Sequence, residues 1–333
     1  MSNDFTPLEF DYDESTYAPV DLDSLYDELC TDMKDAYYDN ERKEIIDAQE
    51  GYGFDLAAAK QKQAMAEEGS TFTISLSAVQ PAVTRETLQE KLFHDVLASY
   101  DSPHVVNWSR TNNLDLACKA INGTVLNSGD IFSFNDIVGE RTAAKGYQPA
   151  TVYVSGESKP ELGGGVCQVA STIYLCCVLA DLNVVERTEH MFSVSYVPMG
   201  ADATIYWGSL DFKFENSTPY PLRIEASVSD GYVHIRLIGT KENDETIQVE
   251  SVTTATIPWS EVEKEDETKP EGYRETTQSP YTGYAVTLYI QRYDADGNKI
   301  GEREPAQYPY SRYSKRDQIT IVVTGKPEEE EPP

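Results

Sequence analysis

The stretch Gly163-Gly-Gly-Val-Cys167-Gln-Val-Ala-Ser171-Thr-Ile-Tyr-Leu-Cys176-Cys177-Val-Leu-Ala-Asp-Leu182 decides how this chain reads. Three successive glycines can take positive φ and admit a substrate backbone closely, and the mostly apolar run behind them predicts a helix with Cys167 in its first turn. A thiol there faces unpaired amide donors and the positive end of the helix dipole, which together favour the thiolate. Two readings stand for Cys167: a nucleophile, or a small packing group behind a tight turn. For Cys118, Cys176 and Cys177 packing is the expectation, because free thiols are among the most buried side chains.

Working outward, Phe132-Ser-Phe-Asn-Asp136, Gly139, Gly146-Tyr147 and a strand at Ala150 to Val154 open a dense central domain, and Asn113 to Asn122 shows helical spacing. Downstream, Phe192 to Val197, Thr204 to Tyr206, Leu210 to Glu215, Leu222 to Ser229 and Tyr232 to Gly239 predict strands. The last two join across Asp230-Gly231 as a hairpin. Toward the N-terminus the sequence predicts an acidic arm, a helix from Leu22 to Tyr38 capped by Asp21 or Asp23, and a turn at Gly51 to Asp55. A helix at Leu56 to Glu67, a strand at Ser70 to Leu76 and a short helix capped by Thr84 follow, and Ser99 to Val106 reads as a connection. Toward the C-terminus, Tyr284 to Tyr293 and Gln318 to Val323 predict strands and Asp294 to Asn298 a turn.

The fold class is therefore α+β. A mixed central domain over residues 105–240 has a helix bearing Cys167 and a strand-rich second half. Before it come an arm and helix (1–40) and a small α+β module (41–104); after it come an all-β module (241–326) and a disordered acidic tail (327–333).

With 333 residues and 40% hydrophobic content the chain can fill ordinary cores. Its net charge of -30 argues against nucleic acid and anionic lipid as partners. Five irregularly spaced cysteines supply neither a disulfide framework nor zinc-type pairs, and the odd count leaves at least one thiol free. No apolar run is long enough to cross a bilayer, and Met1-Ser-Asn-Asp-Phe lacks the features of a signal peptide, so the expectation is either a cytoplasmic protein or an anchor outside this chain.

If Cys167 attacks a carbonyl it needs a base, a group to orient that base, and donors for the oxyanion. Of the four histidines, His190 in Glu186-Arg-Thr-Glu-His190 follows the helix and could return beside its start. His94, His104 and His234 read as structural. Asp202 could orient His190, bind a substrate amine, or serve a turn. Arg187 could hold a carboxylate bidentately or make a salt bridge. Cys167, His190 and Asp202 as metal ligands would lack paired-ligand spacing, so no metal and no cofactor is expected.

Leu116-Ala-Cys-Lys-Ala-Ile-Asn-Gly-Thr-Val-Leu126, Gly129-Asp-Ile-Phe-Ser-Phe-Asn-Asp-Ile-Val-Gly139, Gly146-Tyr147, Gly163-Gly-Gly-Val-Cys-Gln-Val-Ala-Ser-Thr-Ile-Tyr174, Glu186-Arg-Thr-Glu-His190 and Tyr196-Val-Pro-Met-Gly-Ala-Asp-Ala-Thr204 together resemble the VanW domain, in the family's order. The sequence departs from the family pattern at Ala170 and at Cys176-Cys177. Residues 40–95, with Gly51-Tyr-Gly-Phe-Asp55 and Val79-Gln-Pro-Ala-Val83, resemble the peptidoglycan-binding module that precedes such domains, and the C-terminal β module is similar in placement to the wall-associated glycine-containing modules that follow them. The resemblance implies a Gram-positive cell-envelope protein, of a family named from glycopeptide-resistance clusters, held outside the membrane by an N-terminal anchor beyond this chain. It also implies a cysteine L,D-transpeptidase whose partners are peptidoglycan stem peptides, with Cys167 acylated as a thioester, His190 its base and Asp202 orienting it. Gly163, Gly164, Gly165, Gln168, Ser171, Arg187 and Tyr196 are then expected at the substrate. The alternatives are a non-catalytic wall-binding scaffold and a cysteine L,D-carboxypeptidase or endopeptidase.

Overall fold

A computed structural model gives the structure of the chain, and residues 20–67, 72–154 and 157–323 are described. The acidic arm, the start of the expected strand at Ser70 and the acidic tail lie outside them. The architecture is α+β, in two compact units, residues 1–92 and 93–333.

In the first unit, Asp21 caps the helix Leu22–Leu29 by accepting from the amides of Asp23 (3.1 Å) and Ser24 (3.4 Å). That helix stops well short of Tyr38, because the following backbone pairs across the chain instead: Thr31 bridges Tyr52, Lys34 bridges Gln49, and Tyr37–Asp39 pairs with Glu44–Ile46. Gly51–Gly53, expected as a turn, is a strand against Ser77–Val79. A Cβ on Gly51 would lie 2.5 Å from the Met33 nitrogen, so only glycine lets these backbones meet. Helices Leu56–Met65 and Arg85–Lys91 form where expected, capped by Asp55 and Thr84.

The second unit is built on an antiparallel sheet in the order Asp95–Pro103, Tyr232–Gly239, Leu222–Ser229, Val125–Leu126. The hairpin across Asp230-Gly231 forms as read, with both turn residues at positive φ. Asp95–Pro103, read partly as a connection, is a strand of this sheet. Helices Trp108–Ile121 and Cys167–Leu179 pack against the sheet. The second is mostly apolar and buried on every side from Gln168 to Val178, as a helix in a core must be. Beside it, Phe132, Phe134, Phe212 and Phe214 form a fully buried aromatic group on and next to the strands Ile131–Ser133 and Lys213–Glu215, which pair together with Asn183–Glu186.

The C-terminal strands Thr246–Ile257, Gly283–Tyr293 and Lys299–Tyr313 form an antiparallel sheet, with Glu261–Glu265, Gln318–Val322 and Arg274–Gln278 in another. The expected separate β module instead shares the core, through Leu288, Ile290 and Ala306. A cavity of about 230 Å³ between the end of the Cys167 helix and this sheet is lined by Tyr174, Val178, Leu182, Ile290, Arg292 and Ala306. Among the described residues Phe192 to Val197 forms no strand, and of Thr204 to Tyr206 only Tyr206 pairs, in an isolated bridge with Leu210. The alternation at 192–197 arises because Phe192 packs on Tyr281 (ring centroids 5.8 Å apart) while Val194 and Tyr196 lie against the core. Among the described residues no helix is long and apolar enough to cross a membrane.

Candidate active site

The start of the Cys167 helix is set by its glycines. Gly164 is buried, and a Cβ on it would lie 2.4 Å from the Ala150 carbonyl oxygen, so the hairpin Pro149–Val154/Glu157–Leu162 passes directly over it. Gly165 stands at φ +104, and its bare face is covered by the Arg110 guanidinium, 3.1 Å from where a Cβ would be. Gly163 is covered in the same way by the Arg141 side chain. The glycines were expected to admit a substrate backbone; they admit the chain's own groups, and so fix where the helix begins.

Val166 provides no side-chain cap. The Gln168 amide is taken by the Gly165 carbonyl (2.9 Å) and the Val169 amide by that of Val166 (2.9 Å), while the Cys167 amide has no acceptor among the described residues. Cys167 is half-buried, in contrast to fully buried Cys176 and Cys177. Its thiol donates to the Ile205 carbonyl (3.5 Å), and the His190 ring is near enough to act on it electrostatically.

His190 is fixed from its far side. The Asp202 carboxylate accepts from His190 Nδ1 (2.7 Å) and from the His190 amide (2.8 Å), which leaves Nε2 for the thiol. Tyr196 Oη is 3.5 Å from Nε2, and its ring meets the imidazole edge-on. Asp202 is wholly buried and needs the partners it has: Arg187 Nη2 donates to it at 3.3 Å, and the Tyr313 hydroxyl donates to it while accepting from the Gly200 amide (2.6 Å).

These contacts set the protonation states. Burial disfavours charge on all three groups, but it is outweighed. The Asp202 and Cys167 hydrogen bonds push His190 up to about 9. The hydrogen bond and charge of His190, with a contribution from Arg141, bring Cys167 below its ordinary value, and His190, Arg187 and Tyr313 hold Asp202 below the usual carboxylate range. Such a set favours a thiolate–imidazolium pair, primed for nucleophilic attack.

The remaining expected substrate residues divide. Tyr196 stands at the site. Arg187 does not face outward: its side chain is 1% exposed and is spent on the Asp202 and Gly200 carbonyls, Ser311 Oγ and the Asp202 carboxylate. It builds the loop that carries Asp202 rather than holding a ligand. Gln168 is likewise buried, its amide donating to Ser102 Oγ and the Pro103 carbonyl while its Oε1 accepts from Arg110 Nη2 (2.8 Å). Ser171 Oγ donates to the Cys167 carbonyl (2.8 Å) and accepts from the Ala203 amide (2.9 Å), tying the helix to the Asp202 segment. Tyr313, Arg110 and Arg141 were not singled out from the sequence. Gly129, Gly139 and the glycine run mark motifs, but nothing local to an arginine or tyrosine marks its distant partner.

The other histidines behave as expected. His94 is exposed, His104 rests on Thr111 (3.2 Å), and His234 pairs with Asp101 across the sheet (2.8 Å).

Residues 109–238 match the family model described as VanW like protein. Over 131 residues the chain is 44% identical to the uncharacterized protein YoaR of Bacillus subtilis (strain 168), covering 39% of this chain and 43% of that one. Over 157 residues it is 26% identical to the vancomycin B-type resistance protein VanW of Enterococcus faecalis (strain ATCC 700802 / V583), covering 44% of this chain and 57% of that one. The matched stretch thus spans about half the length of these relatives. Among solved structures, the IgA1 protease G5 domain is similar at a TM-score of 0.20 and 19% identity, over 26% of this chain and 96% of that one. HP0197-G5 is similar at 0.15 and 18%, over 23% and 96%.

Proposed function

We propose that the VanW-like domain over residues 109–238 is the acyl-transfer centre of a cell-wall-associated protein, and that it cross-links peptidoglycan stem peptides as a cysteine L,D-transpeptidase. The observation that carries this reading is the His190 ring, fixed by the fully buried Asp202 carboxylate and near enough to the half-buried Cys167 thiol to lower its pKa.

The Cys167 thiolate attacks the carbonyl carbon before the donor stem's terminal D-residue. The C–N bond breaks, the leaving amine takes the proton from His190 Nε2, and a thioester forms on Cys167. The side-chain amine of an acceptor stem then attacks that carbonyl and gives a proton to His190, and the Cys167 thiolate departs as the new amide forms. Asp202 holds the ring and stabilises its charged form, as the orienting carboxylate of a triad does. The unpartnered Cys167 amide at the helix start donates to the oxyanion. The active domain faces the outside of the cell.

Incubation with a tetrapeptide-stem muropeptide is expected to add the mass of the acyl fragment to the wild type and nothing to Cys167→Ala. Dimers formed with an amine acceptor support the transpeptidase. Trimmed monomers alone would assign a carboxypeptidase, and binding without any adduct would leave a scaffold.

A further inference from the structure

We infer that Arg110 and Arg141 form a carboxylate subsite beside Cys167, which grips the free C-terminal carboxylate of the donor stem while the peptide bond before it is attacked. The identity of the ligand rests on the acyl-transfer reading above; the subsite itself does not.

Arg110 lies in the first turn of the helix Trp108–Ile121 and reaches back over Gly165, two residues before the nucleophile; its Nη1 and Cζ would be 3.1 and 3.2 Å from a Cβ there. Gln168 holds its Nη2, while its Nε is buried without any partner. Arg141 lies over Gly163, and its Nη1 is held by Asn135 Oδ1 (2.7 Å) and the Gly139 carbonyl (2.9 Å). Both side chains are half-buried, and among the described residues neither makes an ion pair with a carboxylate.

That last fact is unexpected in a chain with 57 acidic against 27 basic residues. Desolvation disfavours the charge on both guanidinium groups, while Tyr196 and Cys167 favour it on Arg110, and Cys167, Tyr147, Asp211 and Glu140 favour it on Arg141. The Cys167 thiolate is already matched by an imidazolium, and Asp211 and Glu140 act on Arg141 only from beyond ion-pair distance. The arrangement is complete only when another anion arrives, and a planar guanidinium with open donors suits a carboxylate.

The stem chemistry places one there. Only the amide nitrogen and one Cα separate the scissile carbonyl from the terminal carboxylate, a span of about 4–5 Å by standard bond lengths. Whatever the thiolate attacks in such a substrate, the carboxylate must lie next to it.

Alkylation of Cys167 in the full chain tests the subsite without any peptide. Iodoacetate and iodoacetamide both lose iodide to the thiolate, and they differ in carrying a carboxylate or a neutral amide. Peptide mapping reads Cys167 against half-buried Cys30 in the same sample. The iodoacetate-to-iodoacetamide rate ratio at Cys167 is expected to exceed that at Cys30 by about tenfold, the scale of a charge-assisted hydrogen bond. Arg110→Gln and Arg141→Gln should each lower it toward the Cys30 value, and Arg110→Lys, which keeps charge without the fork, should fall between. Equal ratios at the two cysteines in the wild type, or a raised ratio that neither variant moves, would overturn the subsite. Donor stems ending in a free acid or an amide give the second arm: the acid should acylate about tenfold faster, and the variants should lose that preference. A raised alkylation ratio with neither stem acylating would remove the peptidoglycan reading and leave an anion site, whereas equal acylation with an unraised ratio would do the reverse.

Discussion

Cys167 and Cys176 stand on one helix, nine residues apart, and the fold treats them oppositely. Cys176 and its neighbour Cys177 are wholly buried, and burial with no cation beside them drives both thiols well above their ordinary value. Cys167 is also shielded, yet an imidazole on one side and arginines near the glycine turn bring its thiol down. Residue type and secondary structure are the same at both places. What differs is whether charged and hydrogen-bonding groups from other segments converge on the sulfur, and that convergence separates a nucleophile from a packing group.

The contrast can be broken by removing either sulfur. Cys167→Ala should abolish the acyl adduct and leave stability nearly unchanged, while Cys176→Ala should keep the adduct and cost about 1 kcal/mol, because a small atom leaves a tight core. Intact mass and urea denaturation check the two halves. Removing the orienting charge comes next: Asp202→Asn is expected to slow acylation about 10³-fold, since the ring loses both its fixed tautomer and the group that favours its charged form. Tyr313→Phe acts one step further out. It takes away a donor to Asp202 and the acceptor for the Gly200 amide, and should cost about 1–2 kcal/mol of stability and about tenfold in acylation rate. Denaturant midpoints and single-turnover rates on the same sample read both.

The smallest effect is in pH. His190 is raised from 6.5 to about 9, so the stability its charged form contributes is complete below about pH 6.5 and is lost as pH rises through about 9. Melting temperature should therefore fall by a few degrees across that range in the wild type, and His190→Gln should not show this fall. Iodoacetamide should label Cys167 throughout the range and Cys176 nowhere in it.

The sequence made part of this visible. The glycine run, the first-turn cysteine, His190 and Asp202 could be named because local pattern and motif order carry them, and the Asp230-Gly231 hairpin because its signal is contained in a few residues. Arg187, three residues before His190, carries no local sign that its partners are Gly200, Asp202 and Ser311. The long strand Lys299–Tyr313 gives no strand signal in the sequence because it is polar and contains Pro305 and Pro309, which an edge strand tolerates. With it went Tyr313, 111 positions from the carboxylate it holds. Arg110 and Arg141 were hidden for the same reason, since an arginine's purpose is written in whatever lies across from it.

The Tyr313 contact limits what can be transplanted. The family match ends at residue 238, yet the hydroxyl that braces Asp202 and the serine that braces Arg187 arrive from strand positions more than seventy residues later. A gene fusion that borrowed only the matched stretch would deliver a sulfur and an imidazole with their buttress missing. The heritable unit here is larger than the recognisable one.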